Sequence, residues 1–284
     1  MPRTRGGRTP PGLTRASERV RLAEERLARV LAAGNLDSEL MVPQLVPGFM
    51  DLAVAAAGRI QGDCVDVCFT VRGALAHYGI RAQLRAVDLL VEDSATGRHA
   101  LYGTPDPYWQ DDVLVGHCAL WLPGHRIFID PTVERFPQVA KLAMGPVIGK
   151  ERRAGLEADV PLPLCEFQVR RGDSLLLYNT AGEEAAATIL GGDHVILRTE
   201  AYARSGILQA SLAIEAIRTC GLAAQVIART PYPRVRALLE TIGDAPGAVD
   251  ERGEWRFELT GPGGIVRRLR LDEIPLSIAV APVC

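Results

Sequence analysis

Three residues in the chain, Cys64, His117 and Asp130, follow one another in the order thiol, imidazole, carboxylate. A thiol nucleophile needs a base to take its proton, and the imidazole needs a third group that sets its tautomer and stabilises the imidazolium. Cys64 would be the nucleophile, His117 the base and Asp130 the orienting group. Backbone N–H groups at the start of a helix carrying Cys64 would form an oxyanion hole. Other readings compete. A cysteine on an apolar helix face ordinarily packs, and a lone strand histidine is ordinarily structural. Cys64 and Cys68, four residues apart, could join His117 and Cys118 as zinc ligands. Strand alternation opposes this, because His117 and Cys118 should point to opposite faces, so no metal is expected.

The element that must position the thiol runs through residues 62–81. Cys64, Val67, Cys68, Val71, Leu75 and Tyr78 recur with the 3.6-residue period of a helix that buries one face. Asp63 is its expected N-cap and Gly79 its C′ residue. Cys64 therefore sits at the positive end of a helix dipole, where a thiolate is favoured. Cys68, one turn further, is expected to pack. Asp66, in the first turn, would oppose a thiolate if it lay close.

The histidine and the aspartate fall on two strands within 113–130, joined around Pro123-Gly124. A two- or four-residue loop centred there pairs Leu122 with His125 and, continued, puts His117 directly opposite Asp130. Such cross-strand partners have Cβ atoms roughly 4.5–5.5 Å apart. Cys118, Leu120, Leu122, Ile127 and Ile129 then share the other, core-facing side. Pro-Gly favours ordinary type I or II turns over primed ones, and a three-residue loop would slip the register by one and break the pairing.

At these residues the chain resembles the transglutaminase-like cysteine superfamily. Gly62-Asp63-Cys64, a helix, and Gly79-Ile80-Arg81-Ala82 are similar to the family's nucleophile helix and its Gly-Ile-Pro-Ala-Arg-type turn. Gly116-His117 opening a strand and Ile129-Asp130-Pro131-Thr132 closing the next resemble its histidine strand and Asp-Pro-Thr end. The resemblance covers about residues 48–135. It implies a papain-like core, a Cys-His-Asp triad and acyl transfer through a thioester, and it points to Gln61 as an oxyanion donor. The chain departs from the family at Arg81, where a proline is usual, and at Ala119, where an aromatic is usual.

The remaining segments read as follows. Residues 1–15, rich in Gly, Pro and Arg, form a basic tail. Residues 17–33 and 49–60 are helical. Residues 80–91 form a strand whose apolar phase changes at Val87, which suggests a bulge. Residues 92–112 form a long surface loop whose Tyr108 and Trp109 are either a lid over a substrate cleft or a hydrophobic anchor. A strand pair turns at Gly172-Asp173, helices cover 201–220 and 233–242, and a hairpin turns at Gly261-Pro262-Gly263-Gly264. His77 is assigned to the helix C-terminal carbonyls, and His99, His125 and His194 to the surface.

A net charge of −2 gives no reason to expect nucleic acid or an anionic membrane as partner. The six cysteines are too sparse for a disulfide scaffold, and no apolar run reaches eighteen residues. The expectation is a cytoplasmic α+β protein with helices packed on an antiparallel sheet. Residues 16–180 would form a transglutaminase-like catalytic core and 181–284 an α+β extension. Its substrate would be a peptide, protein or small amide, without a cofactor. The competing expectation is a catalytically inactive binding module of the same fold.

Overall fold

The computed structural model describes residues 64–140, 145–150, 166–219 and 221–276. The basic tail, the helices expected over 17–33 and 49–60, Gln61 and the Asp63 cap lie outside them.

Helix α1, Cys64–His77, ends as its sequence predicts. Gly79, with φ +73°, donates its N–H to Ala76 C=O, and Ile80 donates to Leu75 C=O, the paired bonds of a Schellman motif. The buried surface of α1 is wider than the expected stripe, including Val65, Thr70 and Ala74 as well as Val67, Cys68, Val71 and Leu75. The cause is that α1 is sandwiched. Helix α5, Thr199–Thr219, crosses its outer side, and at the crossing a Cβ on Gly206 would come within 2.9 Å of the Gly73 backbone.

The inner side of α1 covers a seven-stranded sheet in which every described pairing is antiparallel. Its strands are β1 (Gln83–Asp93), β2 (His99–Gly103), β5 (His117–Leu122), β6 (Ile127–Asp130), β7 (Val147–Lys150), β8 (Phe167–Arg171) and β9 (Ser174–Thr180). The order is β7-β6-β5-β1-β9-β8, with β2 paired to β1. Strand β1 is regular and has no bulge: its registers with β5, β2 and β9 run without a skipped residue. The change of phase at Val87 has another cause. Leu84 and Ala86 pack under α1, whereas Val87, Leu89 and Val91 belong to a second cluster on the opposite face, with Phe128, Tyr178, Val133 and Val139.

The 92–112 segment is not a surface loop. It returns along β1 as β2 and then forms a separate hairpin, β3 (Tyr108–Gln110) with β4 (Val113–Val115). Asp111 and Asp112 hold positive φ at both central turn positions, the type I′ arrangement that favours short hairpins. The predicted strand from 113 is thus two strands, divided at Gly116.

In the later half, the turn at Gly172-Asp173 and the hairpin of β11 (Trp255–Thr260) with β12 (Val266–Leu269) form as expected. Helices α3 (Glu183–Leu190), α4 (Asp193–Leu197) and α6 (Ala223–Arg229), with strand β10 (Gly247–Val249), are additions. Helix α7, Pro233–Ile242, has its predicted bounds. The short helix α2, Pro137–Ala140, packs on the face of the sheet away from α1. Residues on both sides of position 180 share the cluster around α1. No single helix among the described residues is long and apolar enough to cross a membrane.

Candidate active site

Strand β5 brings His117 to the sheet beside the first turn of α1. Strands β2 and β5 lie end to end along one edge of β1, Gly103 opposite Asp88 and His117 opposite Val87, while β9 takes the other edge. Gly103, with φ +86°, makes the junction possible, because a Cβ there would lie 2.9 Å from the His117 Cβ.

The register between the histidine and aspartate strands differs from the predicted one by two residues. Leu122 pairs with Ile127 and Leu120 with Ile129, so Ala119 is the residue nearest in register to Asp130. The loop has four residues, Pro123–Arg126, closed by Arg126 at φ +54°. Pro-Gly thus takes an ordinary turn rather than a primed one, moving the pairing along by two. A shift of two preserves the face. His117 and Asp130 become diagonal neighbours on one side of the sheet, within reach of a long side chain. Cys118, Leu120, Leu122, Ile127 and Ile129 all fall on the other side, buried under α1 as expected.

His117 Nε2 donates to Asp130 Oδ2 at 2.9 Å, with His117 3% and Asp130 0% exposed. Asp130 accepts three further hydrogen bonds: from Tyr178 Oη at 3.0 Å, and at Oδ1 from Thr132 N at 3.0 Å and Thr132 Oγ1 at 3.2 Å. A carboxylate so satisfied can stay ionised when buried. Burial would raise its pKa, but the His117 charge and these bonds outweigh burial and hold it below the usual carboxylate range. For His117, burial acts to lower the pKa, but Asp130, with help from Cys64, overcomes it and pushes the value up to about 10. At neutral pH the pair is therefore imidazolium and carboxylate.

Cys64, in the first described turn of α1, is half-buried and in no disulfide. With Nε2 committed to Asp130, Nδ1 is the His117 nitrogen left to face it. The thiol departs from the helix-dipole expectation. A hydrogen bond with Cys118 and then burial raise its pKa well above the ordinary value, and these exceed the lowering effect of His117. Cys118 and burial thus favour the thiol form of Cys64, and His117 opposes them. Cys68 is buried, its thiol 3.5 Å from the Cys118 carbonyl oxygen. No three His, Cys, Asp or Glu side chains among the described residues are grouped so as to hold a metal ion.

Asp66 does not act on the thiol from unpaired isolation. It accepts from Tyr202 Oη of α5 at 2.6 Å, His194 Nε2 of α4 at 3.0 Å and Nη1 of Arg198, between the two helices, at 3.1 Å. The assignment of His194 to the surface is therefore corrected: its side chain is 9% exposed and it stacks on Trp109, centroids 5.4 Å apart. The Trp109 indole N–H also donates to Thr188 C=O at 3.1 Å. Trp109 is an anchor of the β3–β4 hairpin, and Tyr108 is exposed.

A cavity of ≈ 190 Å³ opens beside the thiol, lined by Cys64, His117, Thr132, Tyr102, Arg135 and Phe136, with Gly103 and Gly116 at its edge. Tyr108 and Trp109 do not line it. Of the site residues that went unrecognised, Thr132 had a local signal, since an Asp commonly bonds the backbone N–H two residues on. Tyr178 and Tyr102 had none, because they come from strands that only the sheet brings near.

No family model matches the chain, and no curated protein matches it. A solved structure described as "The crystal structure of genomics APC5867" shares 15% identity over 93% of this chain and 96% of that one, with a TM-score of 0.26.

Proposed function

We propose that Cys64 is the nucleophile of a cysteine-dependent acyl transfer or of amide or peptide hydrolysis, in the manner of the transglutaminase-like enzymes that residues 62–82 and 116–132 resemble. The observation that carries it is the buried His117–Asp130 pair, whose imidazole lines a cavity with Cys64 and interacts with its thiol. The reactive form has one proton fewer on the Cys64–His117 pair, leaving a thiolate beside an imidazolium that Asp130 holds in place. Sulfur attacks the carbonyl carbon and the C=O π electrons move to oxygen. As the tetrahedral species collapses, the C–N bond breaks and the His117 proton goes to the leaving amine. Neutral His117 then takes a proton from water or an incoming amine as it attacks the thioester, and the thiolate leaves.

The second reading, an inactive module that keeps the fold, is favoured by the surroundings of Cys64: Cys118 beside it and its burial both push the thiol pKa up, against the nucleophilic form. Iodoacetamide kinetics separate the two. In the catalytic reading, His117→Ala slows Cys64 alkylation about 10- to 100-fold at pH 8, the worth of a lost hydrogen bond to a charged group. Equal rates in wild type and His117→Ala would remove the catalytic reading.

A further inference from the structure

The cavity beside Cys64 has two unlike walls. One carries the thiol and His117. The other is built by the residues that follow Asp130, a 3₁₀ turn over Val133–Arg135 in which Arg135 N–H bonds Thr132 C=O at 2.9 Å. Arg135 and Phe136 line the cavity from this turn, and Phe136 stacks on Tyr102 with ring centroids 3.9 Å apart. The cavity thus has an aromatic wall beside a guanidinium.

Charge is distributed unevenly around it. Both ionised groups that line the cavity, Arg135 and the imidazolium of His117, are cationic, and no Asp or Glu lines it. Asp130 lies behind the imidazole, fully buried. Arg135 is exposed, and among the described residues no carboxylate pairs with it. Its neighbour Glu134 instead accepts the N–H of Gly145. An exposed guanidinium without an anion, at the rim of a cavity free of acidic groups, has the donor geometry that carboxylates accept bidentately.

Building on the proposed acyl chemistry, we infer that the acyl donor carries a carboxylate, bound by Arg135, and an apolar portion resting on Tyr102 and Phe136. The substrate class is then an amide or ester of an acidic acyl group. Arg135 is a specificity residue: it orients the donor and takes no part in bond making.

Two measurements test this, and they separate it from the reactivity of Cys64. The first compares alkylation by iodoacetate and iodoacetamide, which differ in a carboxylate. Arg135→Gln is expected to lower the iodoacetate-to-iodoacetamide rate ratio about tenfold, leaving the iodoacetamide rate within twofold, and Arg135→Lys to retain part of the ratio. The second needs no reaction: saturation-transfer NMR with benzoate and benzamide. Benzoate is expected to bind wild type better than benzamide does, and Arg135→Gln to abolish that preference. An unchanged rate ratio in Arg135→Gln overturns the inference, as does benzoate bound equally by wild type and variant or by neither. If instead His117→Ala alkylates like wild type, the catalytic reading falls while the benzoate comparison still decides whether Arg135 recognises a carboxylate.

Discussion

Two histidine–aspartate pairs flank the first turn of α1, and they are nearly equal in length: His117–Asp130 at 2.9 Å and His194–Asp66 at 3.0 Å. Their surroundings are not alike. Asp130 is sealed and, besides His117, is bonded only to neutral donors. Asp66 is 16% exposed and shares its charge with Arg198 as well as a tyrosine. The His117 ring also borders the cavity with Cys64, while the His194 ring stacks on Trp109 and ties the β3–β4 hairpin to the helices. A histidine–carboxylate contact is therefore not in itself a catalytic feature. What distinguishes one is the burial of its carboxylate and what faces the other ring nitrogen.

The strongest way to break this comparison is to delete each carboxylate. Asp130→Ala should destabilise the fold by about 3–5 kcal/mol, because it strands a buried imidazolium. Asp66→Ala should cost about 1–3 kcal/mol, since water can reach the donors it leaves. Urea unfolding at pH 7 measures both, and an Asp66→Ala loss equal to that of Asp130→Ala would void the distinction.

The pH dependence of stability sharpens it next. The raised pKa of His117 contributes stability fully below its unfolded value near 6.5 and loses it as pH rises through about 10. The lowered pKa of Asp130 contributes above its unfolded value near 3.8 and loses it as pH falls through the folded value. Urea midpoints should therefore decline between pH 6.5 and 10 in wild type and in His194→Gln, and this decline should be much reduced in His117→Gln. An alkaline decline of equal size in His117→Gln would assign it to another group.

The smallest expected effect concerns the thiol itself. The hydrogen bond with Cys118 is the foremost cause of the raised Cys64 pKa. Cys118→Ala should speed alkylation of Cys64 at pH 8, by up to about tenfold, the worth of one lost hydrogen bond. A rate unchanged by the substitution would leave burial as the dominant cause.

Much of the local structure was legible in the residues. Gly79 and the apolar period marked the end of α1, and Gly172-Asp173 and Gly261-Pro262-Gly263-Gly264 marked hairpins, because caps and turns depend on backbone conformations that few residues adopt. The Asp111-Asp112 turn carried the same kind of signal within a segment that reads as polar loop. The bulge inferred in β1 shows the limit of such patterns. Its apolar residues change phase because different layers cover the two ends of one regular strand, and the sequence of the strand does not name the layer above it.

The sequence pointed to His117 and Asp130 on one face, provided the turn between them kept an even register, and the four-residue turn does so. Side chains alternate with period two, and the register the turn adopts differs from the simplest one by two residues, which changes the partner but not the side. It also determined that Cys64 lies on a helix. The tertiary structure alone decided the charge state of that thiol, by setting Cys118 against it, and the environment of Asp66, by bringing Tyr202, His194 and Arg198 to it from well over a hundred positions away. It likewise brought Tyr178 to Asp130 across the sheet. Ionisation in a folded chain depends on burial and on groups a few ångströms away in space, and neither is encoded in the residues adjacent along the chain.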